Sequence, residues 1–443
     1  MSKQFNRMLV IMLFSGLALL VAGLVIRLAR STSAGSPTIF VSKARSASTS
    51  SRSKVKLVFS QWWQNELEAN TLQTFIADFE KDHPNISVSL DTHSYTELEG
   101  IALTSTPLVA DIIGIDPQWF YELLRYNQLE SLDAYREAQE PSETEMFSLT
   151  DMDHQYDEWG VPLVSCIAPL FYNINVLRTA GFDRPPKTWS EVLSYAKAIS
   201  KPAESRFGLA FALNPDYPQG ITLDIYSWIW ASGGTVLRDG RPNFTDRTVV
   251  NSLSFLNNLQ ANNFLSPDSF SKTRQQKLDE FASGRIGLMI APSQDIEVLR
   301  RRLGEAGFGI TTLPVSDTYT GKSMIGLSRW YACISSHSQY KSEAWTFLSF
   351  LSSRAAALAD GAHAVPGTGI YPRDDTFYAK AYDIYENAEV TNELIGLPRT
   401  YTLETIVWEE VKNMFEGYQD APTTAQMIQT RWESIGLSAN LTP

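Results

Sequence analysis

The chain of 443 residues is too long for one ordinary domain and suggests two or three folded units at about 150 residues each. Hydrophobic residues make up 44% and charged residues 19% of it, with 22 Phe, 18 Tyr and 11 Trp, which excludes a disordered chain and allows large buried cores. The formal charge of −12 conceals an asymmetry: nine Lys and Arg fall within residues 1–65 with no acidic residue before Glu66, whereas residues 55–443 carry 29 basic and 49 acidic side chains. A body that negative repels phosphate backbones, so nucleic acid is not an expected partner.

Residues 8–26 are a run of 19 uncharged, mostly apolar residues between Lys3, Arg7 and Arg27, Arg30, long enough to span a bilayer. The run reads either as an uncleaved anchor or as a long signal peptide with a cleavage site near Thr32-Ser33-Ala34, and residues 1–30 are assigned to this segment. Residues 31–54 hold nine serines, only basic charges and no apolar period, the composition of a tether. Cys166 and Cys333 show no metal or redox spacing; they are expected to be buried thiols, and their number also allows one disulfide.

From residue 55 onward strand and helix patterns alternate. Residues 55–60 (VKLVFS) predict a short strand, Leu72, Phe75, Ile76 and Phe79 one face of a helix that Pro84 ends, and Ile86, Val88 and Leu90 a second strand. Residues 111–115 (DIIGI) predict a third strand, followed by a helix carrying Trp119, Leu123 and Leu124. Residues 169–173 (PLFYN) precede a short helix, and Thr188 with Glu191 three residues on marks the start of a longer one. Val249, Val250, Leu253, Leu256 and Leu259 mark another helical face, residues 286–290 and 310–313 two further strands, and residues 344–351 an apolar helix. This alternation predicts an α/β fold of mainly parallel sheets flanked by helices. Ligands of such sheets gather beyond the carboxyl ends of the strands, which points to the loops after Phe59, Ile115 and Ile290.

Several segments then resemble one family in order and spacing. Residues 79–88 (FEKDHPNISV) look like its "FEKxxPxIxV" stretch; Trp159-Gly160-Val161-Pro162, Leu170-Phe171-Tyr172-Asn173 and Pro185-Pro186-Lys187-Thr188-Trp189 resemble its "YGxP … LxYN … PPKTWxE" signature. Ser232-Gly233-Gly234, residues 281–289 (FASGRIGLM) and residues 344–347 (AWTF) extend the match over nearly all of residues 55–443. The set is similar to the extracytoplasmic solute-binding proteins of ABC importers, in the carbohydrate-binding branch that includes maltose-binding protein. The resemblance implies a two-lobed periplasmic-binding-protein-like α/β fold with a ligand cleft between the lobes. It implies lobe 1 from residues 55–165 and 311–352, lobe 2 from residues 166–310 and 353–443, and a hinge crossed more than once. It further implies a carbohydrate ligand, the permease subunits of an ABC transporter as partners, and an extracytoplasmic monomer, tethered through its amino terminus or released by cleavage. No catalytic residue, cofactor or metal site is expected.

Sugars are held by aromatic faces against the ring and by planar polar groups that bridge hydroxyls. Trp63, Trp119 and Trp330 follow strand ends or lie in a loop the family uses for ligand, Trp62 directly precedes Trp63, and Tyr226 and Trp228 lie with Trp230 on a predicted helix before Gly233-Gly234; Trp189, Trp230 and Trp345 match structural positions. Asp116, Gln118 and Glu66 are polar candidates at the first-lobe rim. Gln294, followed by Asp295, stands where the family often has an aromatic platform, so an amide replaces a stacking ring there. Cys166 falls near a position that is acidic in maltose-binding protein, which argues against maltodextrin. Arg329 is a candidate partner for an anionic substituent.

Two other classes compete. A carbohydrate-active enzyme would need two carboxylates at fixed separation across the cleft, and no Gly-x-Ser-x-Gly, His-Glu-x-x-His or Walker motif is present. A sensory or adhesive ectodomain would reuse the same fold without an importer. The half calcium-loop pattern Asp151-x-Asp153-x-x-x-Asp157 lacks the turn glycine and the closing glutamate and reads as a solvated acidic loop.

Overall fold

The computed structural model describes residues 54–137, 159–215, 219–362, 364–366 and 376–436, with residue 68 excepted. The apolar run 8–26, all but the last residue of the tether, and the acidic stretch 151–157 lie outside the described residues. Among the described residues no helix is long and apolar enough to cross a membrane.

The described strands are, in chain order, β1 (Val55–Gln61), β2 (Ile86–Thr92), β3 (Ile112–Ile115), β4 (Val161–Ile167), β5 (Leu170–Asn173), β6 (Phe207–Leu209), β7 (Leu237–Arg238), β8 (Arg241–Pro242), β9 (Ile286–Ile290), β10 (Phe308–Thr311), β11 (Met324–Ile334), β12 (Val365–Pro366) and β13 (Glu389–Thr391). One sheet has the order β12-β4-β11-β3-β1-β2, with β13 joined to β11; a second has the order β10-β5-β9-β6. The α/β alternation is as the pattern predicts, but the sheets are mixed rather than mainly parallel. β1 runs parallel to β2 and β3, whereas β11 runs antiparallel to β3 and β4, and β5 is antiparallel to both its neighbours. The physical reason is that β11 returns to the first sheet from the second, against the direction of the strands already there.

Each sheet has its own hydrophobic core. The helix Thr71–Asp82 closes the first, burying Leu72 and Phe79 on its predicted face with Phe75 and Ile76 packed beside them. The helix Lys341–Ser353 adds Ala344, Phe347, Leu348 and Leu351 to the same core. In the second core the helix Arg247–Ala261 buries Val249, Leu253, Leu256 and Leu259. Thr188 caps the helix Trp189–Ile199 by accepting from the Glu191 N–H, and Glu191 in turn accepts from the Lys187 N–H at 2.7 Å, one residue before the cap. Residues 355–364, expected in lobe 2, depart from that boundary: Ala355 stands apart, but Leu358, Ala359, Ala362 and Ala364 pack into the first core because their helix follows directly on Lys341–Ser353.

The two cores share one piece of framework. β4 and β11 pair antiparallel, Leu327 opposite Ile167 and Trp330 opposite Val164, with a bulge between Trp330 and Tyr331. Leu163, Val164 and Cys166 of β4 and Trp330 to Ile334 of β11 belong to the first core, whereas Ile167, Ile325 and Leu327 belong to the second. The chain passes to the second sheet in the two residues after β4 and returns in the loop before β11.

Beside this ribbon, Thr222–Tyr226 forms a turn of π-helix that runs into the helix Ser227–Ala231. Such wide turns cluster at functional sites. A buried ion pair fixes it: the Lys277 ammonium donates to both Asp224 carboxylate oxygens at 2.8 Å and to the Ile290 carbonyl at 2.8 Å, while Asp224 also accepts from the Ala212 N–H at 2.7 Å. Removing one partner strands the other charge in a low-dielectric interior, so Lys277→Met is expected to cost about 3 to 5 kcal/mol, measured by urea unfolding of the full chain. A loss below about 1 kcal/mol would show that the pair does not hold the π-turn.

Candidate functional site

A cavity lies between the two cores. The β4–β11 ribbon forms its floor, through Cys166, Ile167 and the following Ala168 on one side and Gly326, Leu327, Ser328 and Trp330 on the other. Trp62, Glu66, Asp116 and Gln118 form the wall from the first core; Thr222, Leu223, Ser227, Arg274, Pro292 and Gln294 form the facing wall. Asn392, just beyond β13, lines the cavity too and donates from its side chain to the Leu327 carbonyl at 3.0 Å, pinning the floor. The loops after β1, β3 and β9 supply Trp62, then Asp116 and Gln118, then Pro292 and Gln294, as the strand-end rule predicts.

The tryptophans divide differently from expectation. Trp62 and Trp330 line the cavity; Trp63, at 0% exposure, does not, and instead stacks on the rear of Trp330 with ring centroids 5.3 Å apart and planes within 7°. The short 3-10 turn Trp63–Asn65 begins immediately after Trp62, folding Trp63 back over β3. There Gly114 makes room for it: a Cβ at that position would sit 2.9 Å from the Trp63 ring. Trp119 is also buried, within 5.4 Å of Trp62 and 5.1 Å of Tyr95 by ring centroid, and faces a neighbouring cleft rather than the cavity. Tyr226 and Trp228 are buried in the second core, and the same segment turns Thr222, Leu223 and Ser227 toward the cavity instead, because a π-turn has a wider period than the α-helix assumed from sequence.

Of the polar candidates, Glu66, Asp116, Gln118 and Gln294 line the cavity. The Gln294 amide donates to the Glu66 carboxylate at 3.1 Å, a direct link between the two walls. Asp295 and Arg329 do not line it. Asp295 is buried beneath the wall and accepts from Arg274 Nε at 3.1 Å and Nη2 at 2.5 Å, a forked pair that orients the cavity arginine. Arg329 is buried on β11 and donates to Ser165 Oγ at 3.3 Å on the paired strand. Cys166 and Cys333 are free and buried, as expected.

The site gathers carboxyl groups. Asp116 accepts from the Gln118 N–H at 3.0 Å, and burial pushes its carboxyl up to about 7, aided by the Glu99 and Glu66 carboxylates. Glu404, on the helix Thr400–Phe415, accepts from the Thr222 hydroxyl at 2.9 Å, and burial with the Asp116 and Glu99 charges opposite pushes it up to about 8. Crowding by the cleft walls raises Glu66, against the pull of Arg274. Arg274, Thr222, Ser227 and Asn392 escaped the sequence reading. The Thr273–Gln276 capping box marks the start of the helix Arg274–Ala282 and so the place of Arg274, but nothing in the sequence marks its direction.

A binding protein of Brucella abortus is 21% identical over 280 residues, 62% of this chain and 66% of that relative, just under two thirds of its length. An ABC substrate-binding protein of Listeria monocytogenes, solved in complex with cycloalternan, is 16% identical and superposes with a TM-score of 0.71 over 87% of this chain and all of that one (100%). A solute-binding protein of an ABC transporter from Thermotoga lettingae, bound with α-D-tagatose, is 18% identical with a TM-score of 0.72 over 87% of this chain and 100% of that one. These likenesses show the two-lobed fold. The profile of bacterial extracellular solute-binding proteins matches residues 64–358, two thirds of the sequence, and the chain belongs to that family.

Proposed function

We propose that this protein is the extracytoplasmic substrate-binding component of an ABC importer, that it captures a carbohydrate in the cavity between its two lobes without chemical turnover, and that it hands the ligand to a membrane permease. The observation that carries the reading is the cavity lining itself: two tryptophans, Trp62 and Trp330, with the planar amides of Gln118, Gln294 and Asn392 around them. Indole faces suit the C–H face of a sugar ring, and amides bridge neighbouring hydroxyls. The structural relatives bound to cycloalternan and α-D-tagatose support the same ligand class. The division into lobes near the β4 and β11 crossings, and tethering or cleavage at the amino terminus, belong to this proposal. Membership of an extracellular family supports placement outside the cytoplasm.

A thermal-shift screen of the full chain against mono-, di- and oligosaccharides tests it, since a ligand at 100 times its dissociation constant adds about 2.7 kcal/mol. A sugar that raises the melting temperature and is recovered unchanged is the expected result; a panel with no stabilising member, or recovery of hydrolysed sugar, contradicts the reading. Trp330→Ala is expected to weaken that sugar about five- to 150-fold, for an aromatic face worth about 1 to 3 kcal/mol. Because Trp330 also stacks on Trp63, the same change is expected to lower the stability of the empty protein by about 3 to 5 kcal/mol. Unchanged affinity would remove Trp330 from the site.

The raised carboxyls give a pH signature. Asp116 and Glu404 hold protons in the folded protein, up to about 7 and about 8, that the unfolded chain has already released. Stability therefore falls as pH rises from about 5 to about 8, because the folded state binds more protons across that window. Melting curves of Glu404→Gln are expected to show a flatter decline over this range; an unchanged slope would contradict the assignment.

A further inference from the structure

We propose that the flank of the second core carries a groove for an extended, neutral glycan chain, a site separate from the cavity and independent of what the cavity binds. Two open depressions meet there. One is lined by the loop of residues 265–271 and the helix Thr400–Phe415, the other by the helix Arg247–Ala261 and the turn that follows Thr400–Phe415. They share Gln260, Asn263, Phe415 and Glu416 and so form one trough, and no residue of its lining also lines the cavity.

The trough combines aromatic rings with planar amides, the two devices that suit a sugar. Trp408 is half-buried and spends its indole N–H on the Leu213 carbonyl at 2.6 Å, which leaves the ring itself to meet a ligand. Phe270 stands edge-on to that ring at 89°, with centroids 5.4 Å apart, and fixes its tilt. The Lys412 ammonium lies 5.1 Å above the ring on a side chain that is 38% exposed, so water reaches that face. Asn257 and Gln260 lie three residues apart on one face of the helix Arg247–Ala261, and Asn263 follows in a left-handed turn at φ 55°. Among the described residues these three side-chain amides take no protein partner, and hydroxyls of a sugar can replace the water on them. Tyr418, 79% exposed, lines the second depression.

Charge and rigidity narrow the ligand further. Lys412 is the one cationic side chain among the described lining residues, and Glu416 stands 3.9 Å from it, so no array of cations is present to hold an anionic polymer. The loop wall is set before any ligand arrives. Buried Lys272 donates to Ser266 Oγ at 2.7 Å and to Glu280 at 2.6 Å, while the Ser266 N–H donates to the Leu209 carbonyl and the Leu213 N–H to the Ser269 carbonyl, both at 2.8 Å. A preformed wall lowers the ordering cost of weak, repeated contacts. Open along its length, the trough accepts the middle of a chain, whereas the cavity between the cores encloses its ligand.

Affinity electrophoresis of the full chain through gels containing pullulan, dextran, β-glucan, xylan or galactomannan, beside gels without polymer, tests the inference. At least one of these neutral polymers is expected to retard the protein. Trp408→Ala is expected to weaken that binding at least about five-fold, the lower end of what covering an aromatic face yields. Gln260→Ala, whose amide meets only solvent, is expected to weaken it as well and serves as the test should Trp408→Ala fail to fold. Deca-proline in the gel, an extended chain of the kind aromatic grooves also accept, should leave the retardation unchanged. A panel with no retarding polymer overturns the inference, as does retardation that persists in both variants. Relief of retardation by deca-proline overturns it too and assigns the trough to an extended peptide. The thermal shift given by the cavity sugar is expected to be the same in Gln260→Ala as in the unaltered chain, so failure of the groove and failure of the cavity reading are read separately.

Discussion

The antiparallel ribbon of β4 and β11 is the element on which the rest depends. It belongs to the first core along most of its length and to the second at one end, and the change occurs where Cys166, Ile167, Leu327 and Ser328 floor the cavity. Continuous backbone hydrogen bonds make it stiff along the strands, while a two-stranded segment remains free to twist. A ligand seated on that floor touches both cores at once. The bulge between Trp330 and Tyr331 breaks the strict alternation of β11 beside this point.

Aromatic packing holds the ribbon from one side and polar contacts hold it from the other. Trp63 backs Trp330, and the Trp62, Trp119 and Tyr95 rings pack around them, so the face offered to a ligand is rigid before the ligand arrives. On the opposite side Asn392 holds the Leu327 carbonyl, and the Asp224–Lys277 pair fixes the π-turn that presents Thr222 and Ser227. Beside these stand four carboxyls, Glu66, Asp116, Glu99 and Glu404, each of which burial raises toward its protonated form.

Much of this was legible in the sequence because it follows from local pattern. The strand patterns at β1, β2 and β9 and the helical faces at residues 72–79 and 249–259 lie where expected, and the three loops beyond β1, β3 and β9 do meet at the cavity. What the sequence hid depends on geometry beyond a local period. Trp62 and Trp63 are adjacent and chemically identical; only the 3-10 turn and the gap above Gly114 decide which reaches the cavity. Tyr226 and Trp228 lie in the second core, where a π-turn shifts the facing positions, and Arg274 and Asn392 come from segments with no aromatic signature of their own. The very short β12 and β13 pair only through tertiary placement, so no pattern could announce them.

A ligand bound on the ribbon is expected to draw the two lobes together about it. Small-angle X-ray scattering of the full chain, with and without the sugar that gives the largest thermal shift, measures this directly. A smaller radius of gyration is expected at saturation; identical scattering profiles with the site demonstrably filled would contradict lobe closure.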